Sequence, residues 1–521
     1  MNFEKTENGF IRRWGGETLR VEAYGANAFR VRGVMTHDLA DTDYALLPPG
    51  KSDSQIKIYE NRAEITNGKI TVVAEESQWW GDSLCKLRFY NQHGVLLLEE
   101  LNAGGALTLK SRRYKSILGG DFSITASFEA KPNEKFYGMG QYQNGMFDLK
   151  GCALELAQRN SQASVPFVLS NLGYGFFWHN PAVGRAVFGK NITEWHAEST
   201  KQLDYWITAG DAPSEIVENY AAVTGTVPMA PEYALGFWQC KLRYWNQEQL
   251  LETAREYKRR NLPLDVIVCD FFHWRKLGDF RFDEEFFPDP AAMTDELREM
   301  GVELMVSVWP QIDFTSEAYR EMKSKGYLVH AEKGTEATMF VGGPSAPYDA
   351  TNPEARKYVW EKVKENYYSH GIKIFWLDEA EPEYFGYDFE NYRYQAGTNL
   401  QIGNLYPRLY CKGFYDGMTE SGQKNVMNLA RCAWAGSQRY GVLVWSGDIR
   451  STFGDLKNQI CAGLHAGIAG LPWWTTDIGG FTGGNPNDPA FRELLARWFQ
   501  FGAFCPVMRL HGDREPRTRP L

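Results

Sequence analysis

From residue 229 onward, short apolar runs alternate with amphipathic stretches eight times over, and this alternation restricts the fold more than any other feature. The runs are YALGFWQC (233–240), LDVIVCD (264–270), ELMVSVWP (303–310), GIKIFWLD (371–378), NVMNLAR (425–431), YGVLVWSGD (440–448), GIAGLPWWTTD (467–477) and FCPVMRLHG (504–512). A run that is apolar throughout reads as a strand covered on both faces, as in a parallel sheet wrapped by helices. The stretches between them supply the helices: in NQEQLLETAREYKRRN, Leu250, Leu251, Ala254 and Tyr257 recur near helical period behind Asn246, a residue suited to cap. Eight such units predict an α/β fold, a (β/α)8 barrel over 229–521.

Residues 1–228 have a different texture. Segments such as ETLRVEAYGANAFRVRG, IKIYENRAEITNGKITVVAE, CKLRFYNQHGVLLLE and DFSITASFE alternate apolar with polar residues between Gly, Asn and Asp turn signals. That pattern predicts an antiparallel β-sandwich domain ahead of the barrel. FYGMGQYQNG (136–145), rich in glycine, reads as a loop. A chain of 521 residues is also longer than one growing core supports, so two domains are expected.

Charge and cysteine usage narrow the function. The net charge of −9 has no basic block, which argues against nucleic acid and anionic membrane as partners. No apolar run reaches 18 residues and MNFEKTENGF lacks an apolar leader core, so a cytoplasmic protein is expected. Eight cysteines without a CxxC pair read as reduced core thiols, and no glycine-rich loop stands between a strand and a helix. Neither a metal nor a cofactor is expected.

What ends the eight runs carries the chemistry. Asp270, Trp309, Asp378, Arg431, Asp448, Asp477 and His511 each stand at or just past the C-terminal end of a different run. In a closed parallel barrel those ends share one rim, where ligand sites form. Two carboxylates facing each other across a glycosidic bond suffice to cleave it, one as nucleophile or base and the other as acid. Asp378, beside Arg431, is expected to stay ionised; Asp448, after Trp445, Ser446 and Gly447, is expected in a less cationic, more apolar setting suited to proton donation. Glu379 and Glu381 have a simpler reading as acids in the first turn of a helix.

At this point the motifs resemble a known family. WLDEAEPE (376–383) is similar to the W-x-D-x-x-E nucleophile motif of glycoside hydrolase family 31, whose members are retaining, exo-acting α-glycosidases and related transglycosidases. RCAWAGSQRYGVLVWSGD (431–448), DIGGF (477–481) and the spaced pattern from Arg497 to Gly512 resemble the family in the same order. The resemblance implies Asp378 as nucleophile and Asp448 as acid/base, with Asp270, Arg431 and His511 bonding the sugar hydroxyls, Trp309 and Trp376 walling the subsite, Trp445 lining it and Asp477 in support. Phe271, directly after Asp270, stands where many α-glucosidases of the family have a smaller residue. This resembles the α-xylosidases and implies release of α-linked xylose from xylosides or xyloglucan-type oligosaccharides. An α-glucosidase, an α-transglycosidase and a non-catalytic carbohydrate-binding protein are the alternatives. Residues 158–160 are the candidate contact from the N-terminal domain. Family members usually continue past the eighth strand, whereas ten residues follow His511 here; the eighth strand is expected to lack its covering helix, which implies a fragment, a partner such as a second copy over that face in a homo-oligomer, or a rearranged barrel end.

Overall fold

The structure is a computed structural model; it describes residues 2–514 apart from 43, 51, 80–81, 102–108, 335 and 340–342. The chain end 515–521, on which the expectation of an uncovered eighth strand partly rests, lies outside the described residues.

All eight apolar runs form strands: β1 (Phe237–Gln239), β2 (Val266–Cys269), β3 (Glu303–Val308), β4 (Ile374–Leu377), β5 (Asn428–Ala430), β6 (Val442–Trp445), β7 (Trp474–Thr475) and β8 (Met508–Leu510). They pair in parallel in sequence order from β1 to β7, with β8 against β1. The remaining seam, between β7 and β8, is crossed where Thr475 Oγ1 donates to Val507 O (2.8 Å) and the Ile478 amide donates to Arg509 O (3.1 Å). Helices Gln247–Arg259, Pro290–Glu299, Pro353–Asn366, Tyr406–Glu420, Phe453–Ile468 and Pro489–Gly502 lie in the crossovers. Asn246 caps the first of them, accepting from the Gln249 amide at 2.9 Å. Only a short 3-10 turn, Ser437–Tyr440, stands between β5 and β6.

The period of two along each strand sorts the side chains. Val266, Val268, Met305, Ile374, Trp376, Leu429, Leu443, Trp445 and Val507 fill the barrel interior. Their neighbours Ile267, Cys269, Leu304, Val306, Phe375, Leu377, Val442 and Val444 pack outward under the helices. The same parity carried past the strand ends brings Asp270, Trp309, Asp378, Arg431, Asp477, Arg509 and His511 to the inner side of the rim. Asp448 breaks the parity. Gly447 before it takes φ +71°, and a Cβ there would lie 2.4 Å from Ser161 Cα; only glycine lets the chain turn this close to another backbone.

The N-terminal region builds an eight-stranded antiparallel sheet and two five-stranded sheets around a shared core that includes Phe89, Phe128, Phe176, Trp178, Trp195 and Tyr205. The stretch expected as a loop is a strand: Phe136–Gln141 lies at the edge of the large sheet against Ala163–Ser170. Its glycines do not end the strand but accommodate an irregularity between Gly138 and Gly140, around Met139 at φ +72°. This strand faces helix Phe453–Ile468, where the Gly138 amide donates to His465 Nδ1 at 2.9 Å. Phe167, Trp206 and Tyr220 join one continuous apolar cluster with Trp434, Val444 and Ala462 of the barrel shell. No helix among the described residues is long and apolar enough to cross a membrane.

Candidate active site

Arg431, at the end of β5, sits at the centre of the rim with its side chain 2% exposed. Its Nη1 lies 3.4 Å from Asp378 Oδ1 and 3.8 Å from Asp448 Oδ2. Sharing one nitrogen caps the separation of those two oxygens at about 7 Å, within reach of the spacing by which a carboxylate pair flanks one anomeric carbon. Three further acids close on the same guanidinium: Glu379 (3.1 Å), Glu381 (3.0 Å) and Glu383 (2.6 Å). Glu379 and Glu381 are therefore not first-turn residues of a helix, as their pattern suggested. They are buried in the turn that follows β4.

Burial of so many acids around one cation sets the electrostatics. Asp378 is pushed up to about 6 by burial, against the pull of Arg431 and with the nearby Asp448 adding to the rise. This reverses the direction expected from the sequence, where Arg431 alone was weighed. Desolvation of a fully enclosed carboxyl outweighs one cation shared among five acids. Burial likewise pushes Glu381 up to about 7 and Glu379 well above the usual range. The environment of Asp448 also differs from expectation. Its side chain is 36% exposed, Asn160 Nδ2 donates to its Oδ2 at 2.6 Å, and Arg431 stands beside it, so it is neither apolar nor remote from a cation.

Across the rim, His511 Nε2 lies 3.5 Å from Asp270 Oδ2. Burial, with Arg509 and Arg514 nearby, pushes the imidazole well below its usual value, so it is neutral. The backbone amide of Phe271 donates to Asp270 Oδ1 at 2.7 Å and fixes that carboxyl. The ring of Phe271 stacks on Trp309 with centroids 4.9 Å apart. Trp376 stands edge-on to Trp445 (5.3 Å) and His511 (5.1 Å). Asp477 is ion-paired with Arg509, both wholly buried, and that guanidinium lies 4.5 Å over the Trp376 ring. Trp309 Nε1, Trp376 Nε1, Trp445 Nε1 and His511 Nδ1 are buried with no hydrogen-bond partner among the described residues. Buried donors without partners are costly, and a ligand dense in hydroxyls is the kind that satisfies them.

The sequence-predicted residues thus meet around one site: Asp378, Asp448 and Arg431 on one side, Asp270, Phe271, Trp309 and His511 on the other, with Trp376, Trp445 and Asp477 between. Three participants escaped the sequence reading and a fourth, Asn160, was only partly read. Arg509 lay inside an apolar run, although it alternates with Val507 and His511 in the inward parity. Glu383 carried no signal of its own, and Asn160 entered only as one of three candidates. Cys240, at the top of β1, meets Asp270 and His511 with its ligand atom within 4.8 Å of theirs. A thiol is therefore at hand for a metal, contrary to the reading of scattered cysteines. Burial pushes that thiol well above its usual value, and Arg509 already places a cation nearby, which opposes a second one.

A closed parallel barrel whose rim holds two carboxylates on one guanidinium, opposite a wall of indoles and a neutral imidazole, defines a barrel glycosidase. Residues 227–521 match the glycosyl hydrolases family 31 TIM-barrel domain, and residues 18–185 match the glycosyl hydrolase 31 N-terminal galactose mutarotase-like domain. The chain belongs to glycoside hydrolase family 31. It is 52% identical to the uncharacterized family 31 glucosidase ORF2 of Pseudescherichia vulneris, covering 97% of each chain. It is 34% identical to an α-xylosidase of Saccharolobus solfataricus, a match spanning 82% of this chain and 58% of that protein. Among solved structures, a family 31 α-xylosidase from a soil metagenome, complexed with xylose, superposes with a TM-score of 0.96 at 55% identity, over all of this chain and 78% of that one.

Proposed function

We propose that this protein is a retaining, exo-acting α-xylosidase that removes α-linked xylose from the non-reducing end of xylosides or xyloglucan-type oligosaccharides. The observation that carries the reading is the shared contact of Asp378 and Asp448 with one Arg431 nitrogen, which supports two carboxyl groups acting on one scissile bond. Asp378 attacks the anomeric carbon while the Asp448 carboxyl donates its proton to the departing glycosidic oxygen. The resulting β-linked xylosyl ester on Asp378 is opened by water, whose proton returns to Asp448, so the anomeric configuration is retained. Asp270, Arg431 and His511 hold the ring hydroxyls, and Trp309, Trp376 and Trp445 wall the subsite, with Asp477 keeping Arg509 in place. The Phe271 ring, braced by Trp309, fills the room a hydroxymethyl group would need and favours a pentose. The α-xylosidases among the relatives support the same choice.

The two matched segments support a division into an N-terminal domain and a barrel near residue 228. A reducing, cytoplasmic setting is supported by eight cysteines that are all free. A panel of p-nitrophenyl α-xyloside, α-glucoside and α-galactoside tests the substrate, with the xyloside expected to have the highest kcat/KM. Asp378→Ala tests the mechanism. Loss of several orders of magnitude in rate is expected when the covalent route is removed, whereas sugar binding with no turnover in the unaltered enzyme would mark a binding protein.

A further inference from the structure

The turn that carries Asp448 is held from the barrel, where the Asp477 amide donates to Ser446 Oγ (3.0 Å), and also from the N-terminal region. Gln141 Nε2 donates to Trp445 O (3.1 Å), and Gln143 Nε2 reaches Ser446 O (3.5 Å). Gln141 is itself oriented by Trp474 Nε1, which donates to its Oε1 at 2.7 Å. Gly447 lies directly on the Ser161 backbone. At Asp448 the contact becomes a two-point grip. The Asp448 amide donates to Asn160 Oδ1 (3.1 Å) while Asn160 Nδ2 donates to Asp448 Oδ2 (2.6 Å). The orientation of that side-chain amide is fixed from both ends: Ser161 Oγ also donates to Oδ1 (3.2 Å), and Nδ2 also faces Glu383 (3.5 Å). The backbone amide of Asn160 is in turn tied to the Tyr387 hydroxyl at 2.9 Å.

We propose that Asn160 is the positioning residue for the Asp448 acid/base, an inference that rests on the α-glycosidase reading above. Oxygen Oδ2 already accepts the Asn160 N–H and has the Arg431 guanidinium beside it, which leaves Oδ1 as the oxygen open to a departing aglycone. The proton needed for departure of the aglycone therefore resides on Oδ1, and the grip sets where Oδ1 points. Without Asn160 the partly exposed carboxyl is free to rotate, and proton transfer loses its geometry.

The test separates proton donation from general damage. In Asn160→Ala, kcat/KM for an alkyl α-xyloside, whose leaving group needs a proton, is expected to fall about 10- to 100-fold, part of what a positioned general acid contributes. For α-xylosyl fluoride, whose leaving group needs none, the fall is expected to stay within about threefold, well below an acid contribution. Asn160→Asp keeps the size but replaces the donor by a second acid, and is expected to show the same dependence on leaving group if the alanine variant folds poorly. Equal losses on both substrates, or no loss on the alkyl xyloside, overturn the proposal. Asp448→Ala is measured alongside. If it shows the leaving-group dependence and the Asn160 variants do not, only the positioning role fails. If Asp448→Ala lacks it too, the assignment of the acid/base itself is wrong.

Discussion

Replacing Phe271 by alanine isolates the feature proposed to separate xylose from glucose. The ring stacks on Trp309 at 4.9 Å and lies tilted against Phe272 at 4.1 Å, while the backbone amide of the same residue holds Asp270. The substitution therefore removes the ring without removing the bond that orients the carboxyl. Trp309 keeps an edge contact with Trp274 at 5.8 Å, so the wall itself is retained. A phenyl group is larger than a hydroxymethyl group, and relieving or filling a site of that size changes discrimination by about 1–3 kcal/mol, or 10- to 200-fold in relative kcat/KM. Loss of the aromatic contact weakens xylose by about 0.5–1.5 kcal/mol through the wall it stiffens. The ratio of kcat/KM for p-nitrophenyl α-glucoside over α-xyloside is thus expected to rise at least 10-fold in Phe271→Ala, measured under matched conditions with the unaltered enzyme. A ratio that stays constant while both activities fall would refute steric exclusion by this ring.

Two further outcomes follow from the rim's charges. Because burial raises Asp378 to about 6, kcat/KM is expected to decline as pH falls through that value, where the nucleophile becomes protonated. Arg431→Gln removes the opposing cation and should move this acid limb to higher pH, so a limb that stays or moves down counts against the assignment. For folding the sign is the same for each raised acid: the folded state binds protons that the unfolded chain has released, so the contribution of Asp378 and Glu381 is present at low pH and lost as pH rises through about 6 to 7. Thermal unfolding of the ligand-free protein, followed from pH 5 to 8, reads this slope, and Glu381→Gln should flatten it. Separately, Asp477→Ala strands the wholly buried Arg509 and is expected to cost about 3–5 kcal/mol in denaturant unfolding. A loss under about 1 kcal/mol, as for an exposed pair, would contradict a desolvated ion pair.

Much of the site was legible because each buried strand is a short apolar run that stops at a polar residue. Once GIKIFWLD and its seven counterparts are read as parallel strands of a closed barrel, their C-terminal ends gather Asp270, Asp378, Arg431 and His511 at one rim. The helix Tyr406–Glu420 went unread, since Pro407, Gly413 and Gly417 dilute its pattern. The reason for one of them is tertiary: a Cβ on Gly417 would meet the Trp360 ring at 2.3 Å. Phe136–Gln141 was misread for a related reason, because its glycines serve close backbone approach within a sheet.

Residue types and their spacing were enough to predict the strand count and to set polar residues at the strand ends, and the resemblance of the motifs singled out Asp378 and Asp448 among them, since each of these is a local property of the chain. Protonation and aim were decided only by the tertiary structure. Asp378 is raised because folding encloses five acids with one Arg431, and Asp448 points where it does because Asn160, 288 residues earlier, grips it. Desolvation and long-range hydrogen bonds depend on which surfaces meet, and no local pattern records that.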